Sequence, residues 1–277
     1  MAKVTDKTEI RKAIAKYCEE KAISRKELST QMGISNATIS NIDNEKWDNI
    51  DEKMWQKIWN YVRPINTNAL FQTKDYQTAI NLCQNAKELH LMAGLIADTG
   101  MGKTTALRSF SRQENVFYIY YDANMRPNHF YHELGKQLGY DYDSTMYNMV
   151  NRACSVLNSL NDPLIIIDEA GKLTDPMLLS LHALRDKTQQ NCGIVFGGMP
   201  YFKNNLIKKT NKQKVGISEF MRRIQIWNEL EGLSKSEIEY ICDANGITEK
   251  EDLKRFMYKK RFGDLTNEIL LFKTLYR

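Results

Sequence analysis

Over the first 62 residues, apolar side chains recur at helical spacing and are interrupted by short polar turns. Ile10, Ala13, Ile14 and Tyr17 mark one face of a helix running on from Thr5. Ser24-Arg25-Lys26-Glu27 reads as a capping box, in which a hydroxyl and a carboxylate three residues apart satisfy each other's backbone N–H groups. It opens a second helix that carries Leu28 and Met32 and stops at Gly33. Ser35 caps a third, short helix over 36–42 with Ile39 and Ile42 inward. Trp55, Ile58, Trp59 and Val62 form an i, i+3, i+4, i+7 stripe on a further helix begun by Asp51 or a neighbour, which closes a small bundle.

The helical pattern lapses over 62–68, where Pro64 stands among polar residues, so the domain boundary falls here, with a linker over 63–74. From Asp75 the positions Ala79, Leu82, Cys83 and Ala86 predict a helix. Short apolar runs at 91–96, 116–121, 164–167 and 194–196 then alternate with helical segments, which predicts an α/β domain over 75–232 with a parallel sheet flanked by helices. The run Phe220 to Trp227 reads as a helix end passing into a last strand. Ser234-x-x-Glu237, Thr248-x-x-Glu251 and Asp264 open the helices of a small C-terminal lid over 233–277, the last burying Leu265, Ile269 and Phe272.

Composition narrows the class. A chain of 277 residues suits about two domains. No apolar run reaches membrane-spanning length, and the polar start of the chain holds no signal-peptide core, so a cytoplasmic protein is expected. Cys18, Cys83, Cys154, Cys192 and Cys242 are widely spaced and odd in number, which predicts reduced, buried thiols. His129 and His132 lack a third ligand nearby and read as surface residues. The aromatic run Val116 to Tyr121 reads as a core strand in preference to a base-stacking patch.

The net charge of +5 sits in residues 201–277, where 16 Lys and Arg face 11 Asp and Glu. Lys203, Lys208, Lys209, Lys212 and Lys214 meet no acidic residue in sequence before Glu219; this stretch either touches phosphate backbone or is a solvated loop. Residues 1–62 are close to neutral, with 11 basic against 10 acidic side chains.

Two motifs carry chemistry. Apart from Ala97, where glycine is usual, the run Ala97-Asp98-Thr99-Gly100-Met101-Gly102-Lys103-Thr104-Thr105 fits the phosphate-binding loop GxxxxGK[ST] between a strand and a helix. Gly100 and Gly102 let the backbone turn so that N–H groups of the Thr99 to Thr105 stretch face an anion at a helix start. Lys103 would reach the β- and γ-phosphates of ATP, and the Thr104 hydroxyl would ligate Mg²⁺. Leu164-Ile165-Ile166-Ile167-Asp168-Glu169 matches the Walker B pattern, four β-formers followed by two carboxylates. Asp168 would hold Mg²⁺, and Glu169 would orient and deprotonate the attacking water.

Strand, phosphate loop, Walker B strand, arginine pair and helical lid follow the order seen in AAA+ ATPases, which the chain from Asp75 onward resembles. The run ELSTQMGISNATISNI resembles the helix-turn-helix of phage repressors, which would place Asn36, Thr38, Ser40 and Asn41 toward bases or phosphates. A helical interaction module that touches protein instead remains open. With both parts together, and with IIIDEAGKL and MRRI, the chain resembles the transposition ATPases of the phage Mu B type and their IstB-like and TniB-like relatives.

That resemblance implies double-stranded DNA, a transposase and further copies of the chain, in a ring or helical filament, as partners, and no membrane. It also implies an arginine finger acting on a neighbouring subunit's nucleotide, at Arg223 with Arg222 as alternate. Gly197, Gly198 and Met199 depart from the polar sensor-1 position, and Thr266 stands where the sensor-2 arginine usually sits. Slow turnover is the expected consequence. A helicase loader, a nucleotide-gated helix-turn-helix regulator and a secretion-type ATPase are the competing functions.

Overall fold

The computed structural model describes residues 6–62, 70–140 and 145–275. Of the expected linker over 63–74, residues 63–69 lie outside the described residues, and Thr73 and Lys74 already belong to the start of a helix. The chain divides into two compact units, Gln72–Gly232 and Met1–Phe71 with Leu233–Arg277.

In the unit formed by the two chain ends, four helices come first: α1 (Lys7–Lys21), α2 (Arg25–Gln31), α3 (Asn36–Asp43) and α4 (Glu52–Val62). Ser24 and Glu27 form the predicted capping box at α2, and the Ser35 hydroxyl accepts from Thr38 N at the start of α3. Between them Gly33 takes a φ of +59°, a left-handed value that favours glycine, and so turns the chain from one helix to the next. Ile10, Ile14, Leu28, Ile39, Ile42, Trp55 and Ile58 share one core. Trp55, Ile58 and Val62 of the stripe on α4 are buried, while Trp59 packs at its margin.

The later helices of this unit are α12 (Lys235–Ala244), α13 (Lys250–Phe256) and α14 (Phe262–Leu275), and Phe71 joins their separate core. Ser234 and Glu237 make the capping box predicted for α12. The other two expected helix starts need correction. Glu249, not Thr248, stands at the N-cap of α13, and no side chain caps it. Helix α14 begins at Phe262, so Asp264 lies in its first turn, where a carboxylate still favours the positive helix end.

The other unit is built on five parallel strands in the order β2-β3-β4-β1-β5. Helix α5 (Lys74–Glu88) leads into β1 (Met92–Ile96), and α6 (Lys103–Phe110) follows it. Then come β2 (Val116–Tyr120), α7 (Pro127–Gln137), α8 (Met146–Ser159) and β3 (Leu164–Asp168). The chain continues through α9 (Asp175–Thr188), β4 (Gly193–Gly198), α10 (Pro200–Asn211), α11 (Ile217–Arg222) and β5 (Ile224–Glu229). Apolar side chains of α5 and α6 fill one core with β1, β3 and β4, and those of α7 to α11 fill the other. Covered on both faces, β1, β3 and β4 are buried at every residue, as their unbroken apolar runs require.

Two ties fix the ends of this unit. The buried Asp75 carboxylate accepts from Glu231 N at 3.0 Å and Gly232 N at 2.8 Å, which holds the start of α5 to the chain leaving β5. Buried Arg185 on α9 donates to the carbonyls of His90 and Cys192, each at 2.7 Å, at the starting edge of the sheet. The basic stretch, for which a solvated loop was one of two readings, is helical through Asn211, because Phe202 and Leu206 bury one face of α10.

Candidate functional site

With all strands parallel, β1 and β3 end at the same edge of the sheet, and β4 lies between them. In open α/β sheets ligands bind outside the carboxyl ends of the strands. The loop after β1 turns through Gly100 and Gly102, whose φ values are +77° and +85°. A Cβ on Gly102 would meet nothing within 4 Å, so its requirement is conformational and not steric. Gly102 is also the N-cap of α6, and no side chain caps that helix. Its first N–H groups thus lack the usual hydroxyl or carboxylate partner. Thr99 and Gly100 are exposed in the turn, Met101 is half-buried, and Thr105 points outward from the first turn of α6.

Lys103 is 6% exposed, yet among the described residues no carboxylate pairs with it and no acceptor bonds it. A buried ammonium without a counter-charge is costly unless a ligand supplies one. Beside it, the Thr104 hydroxyl donates to Asp168 Oδ2 at 2.7 Å. Asp168 is fully buried, and its other oxygen accepts from Glu169 N at 2.9 Å. A hydroxyl and a carboxylate are the hard oxygen donors that Mg²⁺ prefers, so these residues fit the metal that accompanies a triphosphate.

Glu169 adopts a φ of +59°, unusual for a residue with a Cβ, which turns its side chain off the end of β3. Its carboxylate meets Lys172 Nζ at 3.4 Å, and the same ammonium donates to the Tyr120 hydroxyl at 3.4 Å. Partial burial pulls the Lys172 ammonium down, but the Tyr120 hydroxyl and the Glu169 charge outweigh it and hold its pKa above the usual lysine value.

One residue of this site was not legible in the sequence. Tyr118, read as core, is half-buried, and its hydroxyl donates to Asp168 Oδ2 at 2.9 Å. Burial, and then the charge of Asp168, push its pKa well up, so the phenol keeps its proton. Strand alternation sends Tyr118 to the same face as Ile166, its partner in register, and as Asp168 two residues on. That alternation was the available signal.

Gly197, one of the residues read as departing from the polar sensor-1 position, lies on β4. A Cβ there would lie 2.5 Å from Leu107 Cδ1 and 3.0 Å from Asp168 Oδ1. A side chain there would have to displace the end of Leu107 and would crowd the Walker B carboxylate. In the lid, the Thr266 hydroxyl donates to the Gly263 carbonyl at 3.1 Å.

Arg222 and Arg223 lie at the opposite edge of the sheet. Ile224, which follows them, pairs with Met92 at the start of β1, whereas Glu229 pairs with Ile96 next to the phosphate loop. At about 3.3 Å per residue the strand separates the two edges by roughly 16 Å. Arg223 is held by Asp186 on α9, while Arg222 is exposed with no ion pair found among the described residues.

The lysines of α10 and of the residues just after it also divide. Lys209 pairs with Asp175, and Lys214 reaches the same carboxylate at 2.6 Å. Lys203 pairs with Glu229 at 3.3 Å. Lys208 and Lys212 stay exposed, with no ion pair found among the described residues. On α3, Asn36 and Ser40 are exposed and Asn41 is half-buried, but the Thr38 hydroxyl shares a 3.2 Å hydrogen bond with Ser35 as part of the cap. Exposed Asn44, which the sequence did not single out, donates to Ser40 Oγ at 3.3 Å.

No group of three His, Cys, Asp or Glu side chains arranged for a metal occurs among the described residues. His129, whose Nδ1 accepts from Arg126 N at 3.3 Å, is an exposed helix-start residue.

A glycine loop feeding a helix, a Walker B strand two places away and this strand order define an AAA+ P-loop fold, and residues 88–206 match the AAA domain family. The whole chain is similar to the ATP-dependent target DNA activator B of Escherichia phage Mu. It is 22% identical over 267 residues, spanning 91% of this chain and 83% of the relative. The activator B of Escherichia phage D108 shows the same identity and coverage, 22%, 91% and 83%. Among solved structures, a Walker-type ATPase of Pyrococcus abyssi shares the fold with a TM-score of 0.52, 12% identity, and coverage of 76% of this chain and 69% of that one.

Proposed function

We propose that this protein is an ATP-dependent, DNA-binding ATPase that assembles on DNA and acts in transposition, selecting target DNA and activating a transposase. The observation that carries it is Lys103, a buried ammonium with no ion pair among the described residues, at an uncapped helix start beside the Thr104–Asp168 pair. An anion with bound divalent metal completes that arrangement. Similarity to the activators B of phages Mu and D108 supports the transposition role.

In this reading the loop N–H groups from Thr99 to Thr105 and Lys103 bind the phosphates. Thr104 and Asp168 hold Mg²⁺, which when bound neutralises charge on the β- and γ-phosphates. Glu169 orients the attacking water and takes its proton once Lys172 releases the carboxylate. Arg222 serves as the finger on a neighbouring subunit: its edge of the sheet faces away from its own loop, and Arg223 is already engaged by Asp186.

Lys208 on α10 and Lys212 at its end are the phosphate contacts of choice, with Lys203 and Lys209 available if their ion pairs exchange for DNA. Asn36, Ser40 and Asn41 give α3 a neutral hydrogen-bonding face for a groove. Residues 1–62, 75–232 and 233–277 act as contact module, ATPase core and lid. No helix among the described residues is long and apolar enough to cross a membrane. In this scheme the protein works in the cytoplasm, where it would meet DNA.

Sedimentation and electron microscopy with DNA and a non-hydrolysable ATP analogue test the scheme. Rings or filaments are the expected result, and monomers that persist under those conditions overturn it.

A further inference from the structure

We propose that Tyr118 is a positioning residue for the Asp168 carboxylate, supplying from β2 the side-chain donor that Gly197 on β4 does not. The inference rests on the reading of Asp168 and Thr104 as the Mg²⁺ site.

Asp168 lies on β3, between β2 and β4. On the β4 side, Gly197 offers no polar atom, and any Cβ there would lie 3.0 Å from Asp168 Oδ1. On the β2 side, Tyr118 donates to Oδ2 at 2.9 Å. The carboxylate therefore accepts three hydrogen bonds, from Thr104, Tyr118 and its neighbour's N–H. Two of the donors converge on Oδ2, and only one of those two has another task. A hydroxyl that ligates a cation through its oxygen can continue to donate its proton, but its direction is then set by the metal. Tyr118 is the side-chain donor whose geometry the metal does not dictate, so it keeps the buried carboxylate in one orientation before and after metal arrives.

Tyr118 is itself oriented. Arg108 Nε donates to its hydroxyl oxygen at 3.3 Å, and the guanidinium lies 5.5 Å from the ring centroid. Because the phenol proton is committed to Asp168, its oxygen accepts from Arg108, which gives a directed chain from Arg108 through Tyr118 to Asp168. A charge-assisted hydrogen bond to a buried carboxylate is worth about tenfold in an equilibrium.

The test is equilibrium binding of a fluorescent ADP to the full chain, in EDTA and across a Mg²⁺ titration, together with the Mg²⁺ dependence of hydrolysis. Tyr118→Phe keeps the ring and removes the hydroxyl; Arg108→Gln alters only an exposed side chain. For Tyr118→Phe the expected result is metal-free binding within about twofold of wild type and a half-saturating Mg²⁺ concentration raised by about tenfold. Arg108→Gln should move the same quantity in the same direction by less. An unchanged Mg²⁺ midpoint, or a parallel loss of metal-free binding, overturns the positioning role while leaving the nucleotide site standing. A wild-type protein whose nucleotide binding ignores Mg²⁺ overturns both.

Discussion

Lys103, Asp168 and Gly197 come together within one side chain's reach, and each constrains the others. A Cβ on residue 197 would fall 3.6 Å from Lys103 Cδ as well as against Leu107 and Asp168. Gly197→Ala should therefore destabilise the chain by about 1–3 kcal/mol, read as a shift in the urea midpoint, and should weaken nucleotide binding. Lys103→Ala relieves a buried charge, so it should preserve or raise stability while abolishing nucleotide binding in a calorimeter. Glu169→Gln should leave binding intact and cut hydrolysis by about a hundredfold or more, so that nucleotide and DNA stay bound together longer. The cysteines offer a separate check on the core. All five are buried thiols, and burial pushes Cys83, Cys192 and Cys242 up to about 12. The native protein should react slowly with a thiol reagent at neutral pH and react at all five sites once unfolded.

The elements show why some of this was legible and some was not. The phosphate loop and the Walker B strand were readable because their chemistry is local: glycines, lysine and hydroxyl follow one another in nine residues, Ala97 to Thr105, and the carboxylates follow their strand directly. Tyr118 was not, since a period of two gives the face of a strand but not the neighbour that its tip will meet. The ion pairs of the basic stretch were hidden for a related reason. Its lysines lack acidic neighbours in sequence, but Asp175 lies 34 residues before Lys209 and 39 before Lys214 and is brought back at the start of α9. Those two ammonium groups hold the Asp175 pKa below its usual value. A depressed carboxylate pKa stabilises the fold above the unfolded value, and that contribution is lost as pH falls through the lower folded one. The clamp between α9 and α10 should thus weaken only in acid, below about pH 4. Lys208→Ala with Lys212→Ala should lower the slope of log DNA affinity against log salt by about 2, because each contact releases about 0.9 counterion. Lys209→Ala, whose ammonium is already paired, should move that slope less than either.

At the scale of the whole molecule, the proposed mode of action turns on the position of the arginine pair. Arg222 lies at the starting edge of the sheet and the phosphate loop at the other, so in the proposed scheme Arg222 serves a second copy's nucleotide and not its own. A contact of that head-to-tail type would propagate into rings or filaments. With Gly197 on β4 and Thr266 in the lid making no charged contact, turnover on DNA should stay below roughly ten per second, a typical enzyme median. The most direct test mixes two variants, Glu169→Gln, which lacks the base but keeps its finger, and Arg222→Ala, which keeps its base but lacks the finger. Each alone should be nearly inactive with DNA, and an equal mixture should recover about a quarter of wild-type turnover, the share of interfaces that unite an intact base with an intact finger. A mixture no more active than its parts, or an Arg222→Ala protein as fast as wild type, would contradict the account.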